Sequence, residues 1–151
     1  MGAPLKAVIQ RVSSGAVHVD GEITGAVKTG FVVLLGVARG DTEDDAAYIS
    51  RKTLDLRVFP DDADRMNRSI VEVGGSILLI SQFTLYADTR KGRRPGFDRA
   101  APPEEAVALY ESMVSRLSSS VPVQTGRFGA RMSVALTNEG PVTIIIDSND
   151  R

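Results

Sequence analysis

Two short segments of the chain carry side chains whose types and spacing could do chemistry. Ser81-Gln82-Phe83-Thr84-Leu85-Tyr86 follows the fully apolar run Ile77-Leu78-Leu79-Ile80 and sets four hydrogen-bonding side chains within six residues. A buried strand that turns polar at its end is where sheet proteins often hold ligand groups; a strand end merely capped by polar residues is the plainer reading. Asn138-Glu139-Gly140-Pro141-Val142-Thr143 lies between two β-branched stretches. Its Gly-Pro step reads either as a plain turn or as a cis bond, which only about 5–6% of X-Pro bonds adopt and which would aim nearby carbonyls unusually. A third feature is charge. Asp88 to Arg99 holds Arg90, Lys91, Arg93, Arg94 and Arg99 against Asp88 and Asp98, a net of +3, around Gly92, Pro95 and Gly96. Such a loop suits a phosphate backbone, to which Arg and Lys give salt-sensitive affinity without reading sequence. It equally suits a solvated loop that keeps the protein soluble. From Asp41 to Glu72 the balance reverses, nine acids against five cations, so a chain of net charge −1 is locally polarised.

Other chemistries fall away. With no cysteine there is no disulfide framework, no thiolate nucleophile and no cysteine-based zinc site. A single histidine, His18, cannot supply a multi-histidine metal cage, and between Val17 and Val19 it reads as a strand residue rather than a base. Asp61-Asp62-Ala63-Asp64 lacks the spaced Gly and Glu of a calcium loop, so no metal is expected. There is no Gly-x-Ser-x-Gly elbow, phosphate-binding Gly-Lys-Ser/Thr loop or dinucleotide fingerprint. No run approaches the roughly 18 apolar residues of a membrane span, and the start shows no signal-peptide core, which makes the cytoplasm the expected location.

The elements that must position these groups alternate along one domain of 151 residues. Leu5–Val12 and Ala16–Val19 read as strands separated by Ser13-Ser14-Gly15, and Asp20-Gly21 as a two-residue hairpin turn. Phe31–Val37 is a continuous apolar run, the pattern of a strand buried on both faces. Asp41 and Thr42 offer N-caps for a helix from about Glu43 to Arg57, with acids in its first turn. Val58-Phe59 reads as a short strand, and Ile70–Val73, Gly74-Gly75 and Ser76–Phe83 as a second hairpin. Pro102-Pro103 opens a second helix with an apolar stripe of Ala106, Val107, Tyr110, Met113, Val114 and Leu117. Val121–Gln124, Met132–Asn138 and Val142–Ile146 are the last strands, and Ser148–Arg151 the expected frayed tail. The sum is an α/β fold of mixed sheet layers, about eight strands joined by hairpins and crossovers, with two long helices on one face.

Ser81-Gln82-Phe83-Thr84 and Asn138-Glu139-Gly140-Pro141-Val142-Thr143 resemble the two signature motifs of the D-aminoacyl-tRNA deacylases, the D-tyrosyl-tRNA(Tyr) deacylase family. The resemblance extends to Ile9-Gln10-Arg11-Val12, Arg94-Pro95-Gly96-Phe97 and Gln124-Thr125-Gly126-Arg127-Phe128, nearly the whole chain. Departures such as the Met1–Pro4 extension and the polar tail fall outside the motifs. It implies a layered sheet fold with helices on one side, and a homodimeric hydrolase that cleaves the ester between a D-amino acid, or mischarged glycine, and the terminal ribose of tRNA. The implied partners are the aminoacylated acceptor end of tRNA and a second copy of the chain, with no DNA, membrane, cofactor or metal.

By the same resemblance, Ser81, Gln82, Phe83 and Thr84 form the catalytic segment. Gly140 and Pro141 form a cis step that enters the partner subunit's pocket and excludes L side chains. Arg11, Asn138 and Thr143 serve substrate binding, Arg11 by bracing the Gly-Pro loop. Arg90, Lys91, Arg93 and Arg94 hold the acceptor end through its phosphates. An aminoacyl ester is already activated, so positioning and oxyanion stabilisation by backbone N–H groups near Phe83 and Thr84 suffice. A Thr84 nucleophile would need a base, and the sequence sets no evident His, Lys or Asp beside it. The favoured reading is an attacking water assisted by the ribose 2′-hydroxyl, with Thr84 and Gln82 orienting the site. The alternatives are a threonine-nucleophile esterase on another acyl-RNA, or a non-catalytic RNA-binding module. Against the module stands Phe97 as the sole aromatic residue of the basic loop.

Overall fold

The computed structural model describes residues 5–151, so the Met1–Pro4 extension lies outside the described residues. The chain runs β1 (Lys6–Val19), β2 (Glu22–Val27), β3 (Gly30–Gly36), α1 (Glu43–Asp55), β4 (Phe59–Pro60), β5 (Met66–Arg68), β6 (Ser76–Ser81), α2 (Pro103–Ser118), β7 (Val123–Thr125) and β8 (Ser133–Asp147). Short 3-10 turns occupy Phe83–Tyr86 and Ser148–Asp150.

The two apolar runs become neighbours. β3 pairs with β6 in parallel, Gly30 opposite Ser76 through Leu35 opposite Ser81. Both strands are covered on both faces, as their unbroken apolar sequences require. Phe31, Val33 and Leu35 join Ile77 and Leu79 in a core shared with Ile49 of α1 and Leu109, Met113 and Leu117 of α2. Val32, Leu78 and Ile80 point the other way, into a second core with Val12, Val17, Val19 and Val27. Burying each such side chain contributes about 1.5–3 kcal/mol, so the two cores hold the layers together. Both helices pack on the first core, and the Glu43 carboxylate of α1 accepts from Ser112 and Arg116 of α2.

The sheet order is β2-β1-β3-β6-β7, with β8 along the remaining edge of β1. β3 pairs with β1 over Lys6–Val12 and β2 pairs with it over Gly15–Val19. β1 therefore serves two layers in turn, and the Asp20-Gly21 turn, with φ of 51° and 81°, sends β2 back over the second core. The sheet curls until β2 meets β7 in a barrel-like wrap. A Cβ placed on Gly25 would sit 2.4 Å from the Thr125 carbonyl oxygen, so only glycine allows that approach.

Five expectations change. The Gly74-Gly75 step is not a hairpin: Ile70–Gly74 forms a turn, Ile70 is fully buried, and the chain delivers β6 to β3. A partner strand of Ile70–Val73 would set exposed Val71 and Glu72 beside a strand that needs apolar cover on both faces. Leu5–Val12 and Ala16–Val19 are a single strand, because β8 pairs along both halves. Met132–Asn138 and Val142–Ile146 are likewise one strand, with the Gly-Pro step bulging from its middle. Residues 148–151 do not fray. Ser148 is buried, its Oγ accepts from the Leu5 N–H at 2.9 Å, and Arg151 pairs with Asp45 at 2.9 Å. The first helix ends at Asp55, two residues before Arg57.

Gly25→Ala should lower unfolding stability by about 1–3 kcal/mol through overpacking against β7, read from urea or guanidinium midpoints. An unchanged midpoint would show that the β2–β7 contact yields freely.

Candidate active site

The site grows out of the β3–β6 pairing. Both strands end together as a parallel pair, and the groups beyond their carboxyl ends are free to face a ligand. The Gln82 N–H still donates to the Leu35 carbonyl at 2.8 Å, after which the chain leaves the sheet as the 3-10 turn Phe83–Tyr86. Tyr86 anchors that turn. It is buried, its hydroxyl donates to the Gly36 carbonyl at 2.9 Å, and its ring lies where a Cβ on Gly36 would stand only 2.8 Å from Cε2. Burial pushes its phenol well above the usual range, with nearby Asp41 and Asp147 adding to the effect. With Tyr86 fixed below, Thr84 and Phe83 are displayed above, Phe83 being 57% exposed. The Gln82 amide donates to Thr84 Oγ1 at 2.9 Å. Phe83 meets Phe97 edge-on, centroids 5.0 Å apart.

These residues line a cleft of about 570 Å³. Ser81, Gln82, Phe83 and Thr84 form one side. Phe97, Ala100 and Ala101, the start of α2 at Pro102-Pro103, and Phe128 to Ala130 with Met132 supply the rest. Arg39 is the one charged lining residue among the described residues, and no acid lines the cleft. The catalytic segment expected from sequence is thus brought together around a concave site. Arg39, the α2 start and the 128–132 wall were not expected there. Their only sequence signal was the Gln124–Phe128 stretch, since nothing local shows that three distant segments converge.

The other expected residues lie elsewhere. None of Arg11, Asn138, Gly140, Pro141 or Thr143 lines this cleft. Between β1 and β8, Val12 faces Asn138 and Gln10 faces Thr143, so Arg11 stands opposite a four-residue bulge, 139–142. The Gly140–Pro141 peptide is cis and both residues are exposed. Arg11 Nε donates to the Glu139 carbonyl at 2.9 Å and Nη1 to the Val58 carbonyl at 2.6 Å. Asn138 closes the base of the bulge, donating to Thr143 Oγ1 at 2.9 Å and accepting from the Val142 N–H at 2.7 Å. The bulge is therefore a fixed projection. Gly140, at φ 130°, is a position where a side chain would be strained and its Cβ would meet Arg11 Nη2 at 2.9 Å.

The basic loop is pinned at its ends by paired backbone bonds between Asp88 and Gly96, at 2.7 and 2.9 Å. Arg90 folds back onto Asp88 in a two-pronged pair at 2.8 and 2.9 Å, which holds that carboxyl far below the usual range. Its charge is matched within the loop. The side chains of Lys91, Arg93 and Arg94 have no bonding partner among the described residues and stand exposed. His18 pairs across β1 with Ile23 and Ser133, away from the cleft.

Behind the site, Asp41 Oδ2 accepts from the Ala38 N–H at 2.6 Å, while Oδ1 is buried without a partner. Burial, opposed by that hydrogen bond and reinforced by Asp45 and Asp147, pushes its carboxyl up from 3.8 to about 7. The unfolded chain ionises Asp41 near 3.8 while the fold keeps it protonated to about 7, so its contribution falls as pH rises between those values. Asp41→Asn should flatten that part of the stability-against-pH curve and gain most above pH 7. Parallel curves for the two proteins would exclude a protonated Asp41.

Comparison with known proteins identifies the family. The family model for D-Tyr-tRNA(Tyr) deacylase matches residues 8–147. The D-aminoacyl-tRNA deacylase of Thermus aquaticus is 55% identical over 148 residues, 97% of each chain. That of Desulforudis audaxviator is 57% identical over 145 residues, 95% of this chain and 97% of the other. Among solved structures, the c-Myc DNA Unwinding Element Binding Protein superposes with a TM-score of 0.88 at 39% identity, covering 93% and 97% of the two chains. A structure described as a "probable eukaryotic D-amino acid tRNA deacylase" superposes at 0.83 with 18% identity, covering 95% and 99%, a likeness of fold alone. On a family match that takes in both signature segments and nearly all of the chain, this protein belongs to the D-Tyr-tRNA(Tyr) deacylase family.

Proposed function

We propose that the protein hydrolyses the ester of D-aminoacyl-tRNA, and of mischarged glycyl-tRNA, as a chiral proofreading step of translation in the cytoplasm. The observation that carries the reading is the display of Gln82, Phe83 and Thr84 at the joint end of β3 and β6, over a cleft without an acid. A water oxygen attacks the ester carbonyl carbon, the ribose 3′-oxygen leaves with a proton, and the products are the D-amino acid and tRNA with a free 3′-hydroxyl. The first N–H groups of a helical turn have no partner within it, and those of Phe83 and Thr84 would receive the oxyanion.

Thr84 acts in positioning rather than attack. Its hydroxyl oxygen accepts from the Gln82 amide, which draws electron density from it, and no basic side chain bonds to it among the described residues. A nucleophilic hydroxyl needs the opposite arrangement, a base that takes its proton. The ribose 2′-hydroxyl, next to the scissile ester, would assist the water instead.

Selection against L esters is assigned to the projecting Gly140-Pro141 step of a second copy, which would enter the cleft and meet the substrate's α-ammonium with its carbonyls. Rigid backbone there excludes an L side chain and leaves glycine acceptable. The exposure of the step, its bracing by Arg11 and Asn138, and its place outside its own chain's cleft lining support a homodimer of this kind. Lys91, Arg93 and Arg94 would take phosphates of the acceptor end.

The test is hydrolysis of matched D-tyrosyl-tRNA and L-tyrosyl-tRNA. The D ester alone should be lost, and Pro141→Ala should begin to cut the L ester. Thr84→Ala should keep single-turnover hydrolysis within about tenfold, while a 2′-deoxy terminal adenosine should slow it by about 10²-fold or more. Equal cleavage of both esters by the wild type would make the protein a general esterase. Collapse of Thr84→Ala with an unaffected 2′-deoxy substrate would restore Thr84 as nucleophile.

A further inference from the structure

The cationic loop at residues 88–99 is matched by a second source of positive charge that the sequence reading left unassigned. From Val121 to Asn138 the chain holds two cations, Arg127 and Arg131, and no acid. They bracket Phe128, Gly129 and Ala130, which line the cleft, as does Met132 just beyond. Both arginines are exposed, and neither side chain has a hydrogen-bond or ionic partner among the described residues. The segment between them is a closed turn, with the Ala130 N–H donating to the Arg127 carbonyl at 3.1 Å and Gly129 at φ 77°. Gly126 seats it tightly, since a Cβ there would stand 2.6 Å from Met132 Sδ. The arginines are thus carried on a built turn, and the cleft it walls contains a third cation, Arg39. Arg39 spends only its Nε, on the Asp98 carbonyl at 2.8 Å, and has no carboxylate partner among the described residues. Of the acids beside lining residues in sequence, Asp98 follows Phe97, is exposed and meets Arg39 through its carbonyl, and Glu104 and Glu105 open α2, where they complement the helix end.

An acid-free cleft with unpaired arginines on a wall distinct from the 88–99 loop is a surface for a polyanion that passes through the site, not one that touches a single edge. We propose that Arg127 and Arg131, together with Arg39, form a second cationic arm that takes backbone phosphates of the acceptor strand, so that the 3′ end is held by two loops. This rests on the proposed action on aminoacyl-tRNA. Phosphate contacts of this kind position the strand without reading bases.

The experiment measures the affinity of uncharged tRNA for the wild type, for Arg127→Gln/Arg131→Gln and for Arg127→Lys/Arg131→Lys, each over a salt series. The Gln pair should bind about tenfold more weakly at low salt, and the slope of log affinity against log salt should shrink by about 1–2, one unit for each lost phosphate contact. The Lys pair should keep the wild-type slope. Unchanged affinity and slope in the Gln pair would overturn the proposal, as would a Lys pair as impaired as the Gln pair, or a wild type without measurable tRNA affinity. Hydrolysis of D-tyrosyl-tRNA by the wild type is scored separately. A wild type that binds tRNA yet leaves the ester intact defeats the proposed activity, while the binding comparison still decides the arm.

Discussion

The structure depends on the parallel pairing of two strands that are apolar on both faces. Phe31–Leu35 and Ile77–Ile80 have no solvent side, so the fold must supply cover above and below them. The helices give one cover and the folded-back β2, with the second half of β1, gives the other. Once those layers are in place, the carboxyl ends of the two strands open into the cleft. The polar residues following Ile80 fall at that point.

Rigidity there comes from Tyr86. A 3-10 turn of four residues has little stability of its own, because its hydrogen-bond geometry is poor and it is short. Tyr86 ties it to Gly36 beneath, and the absence of a side chain on Gly36 lets the aromatic ring approach the strand. Gln82, Phe83 and Thr84 then occupy fixed places without needing to be buried. This suits the proposed positioning of an already activated ester, where geometry contributes more than a strong nucleophile. Among the described residues the lining holds no strong base, which fits that reading.

Charge is arranged on the same principle. Arg90 spends itself on Asp88 and so shapes its loop, while Lys91, Arg93 and Arg94 remain available. The acids concentrated between Asp41 and Glu72 are largely used in local structure. Asp45 receives the Thr42 N–H and Arg151, Asp61 closes its own turn, and Glu72 accepts from Ser69. Because those carboxylates stay out of the cleft, a polyanion approaching it meets cations without facing acids on the lining.

Much of this was legible in the residues. The apolar runs announced doubly buried strands, Asp20-Gly21 announced its hairpin, and the spacing of Tyr110, Met113 and Leu117 announced the face that α2 buries, since each depends on chemistry within a few residues. The polar switch after Ile80 and the Gly-Pro step were visible for the same reason. What only the tertiary structure decided was pairing. Whether Ser76–Ser81 would turn back on Ile70–Val73 or cross to β3 depended on which neighbour could cover two apolar faces. Whether Leu5–Val19 and Met132–Ile146 were four strands or two depended on each serving as the other's template. The tail was polar by sequence, yet Ser148 and Arg151 dock on Leu5 and Asp45, partners more than a hundred residues away. The cleft itself joins segments near 39, 82, 100 and 129. Local sequence determines which residues want burial or exposure; packing brings distant segments to one place, because long-range contacts are chosen by the shape and cover that the whole chain can provide.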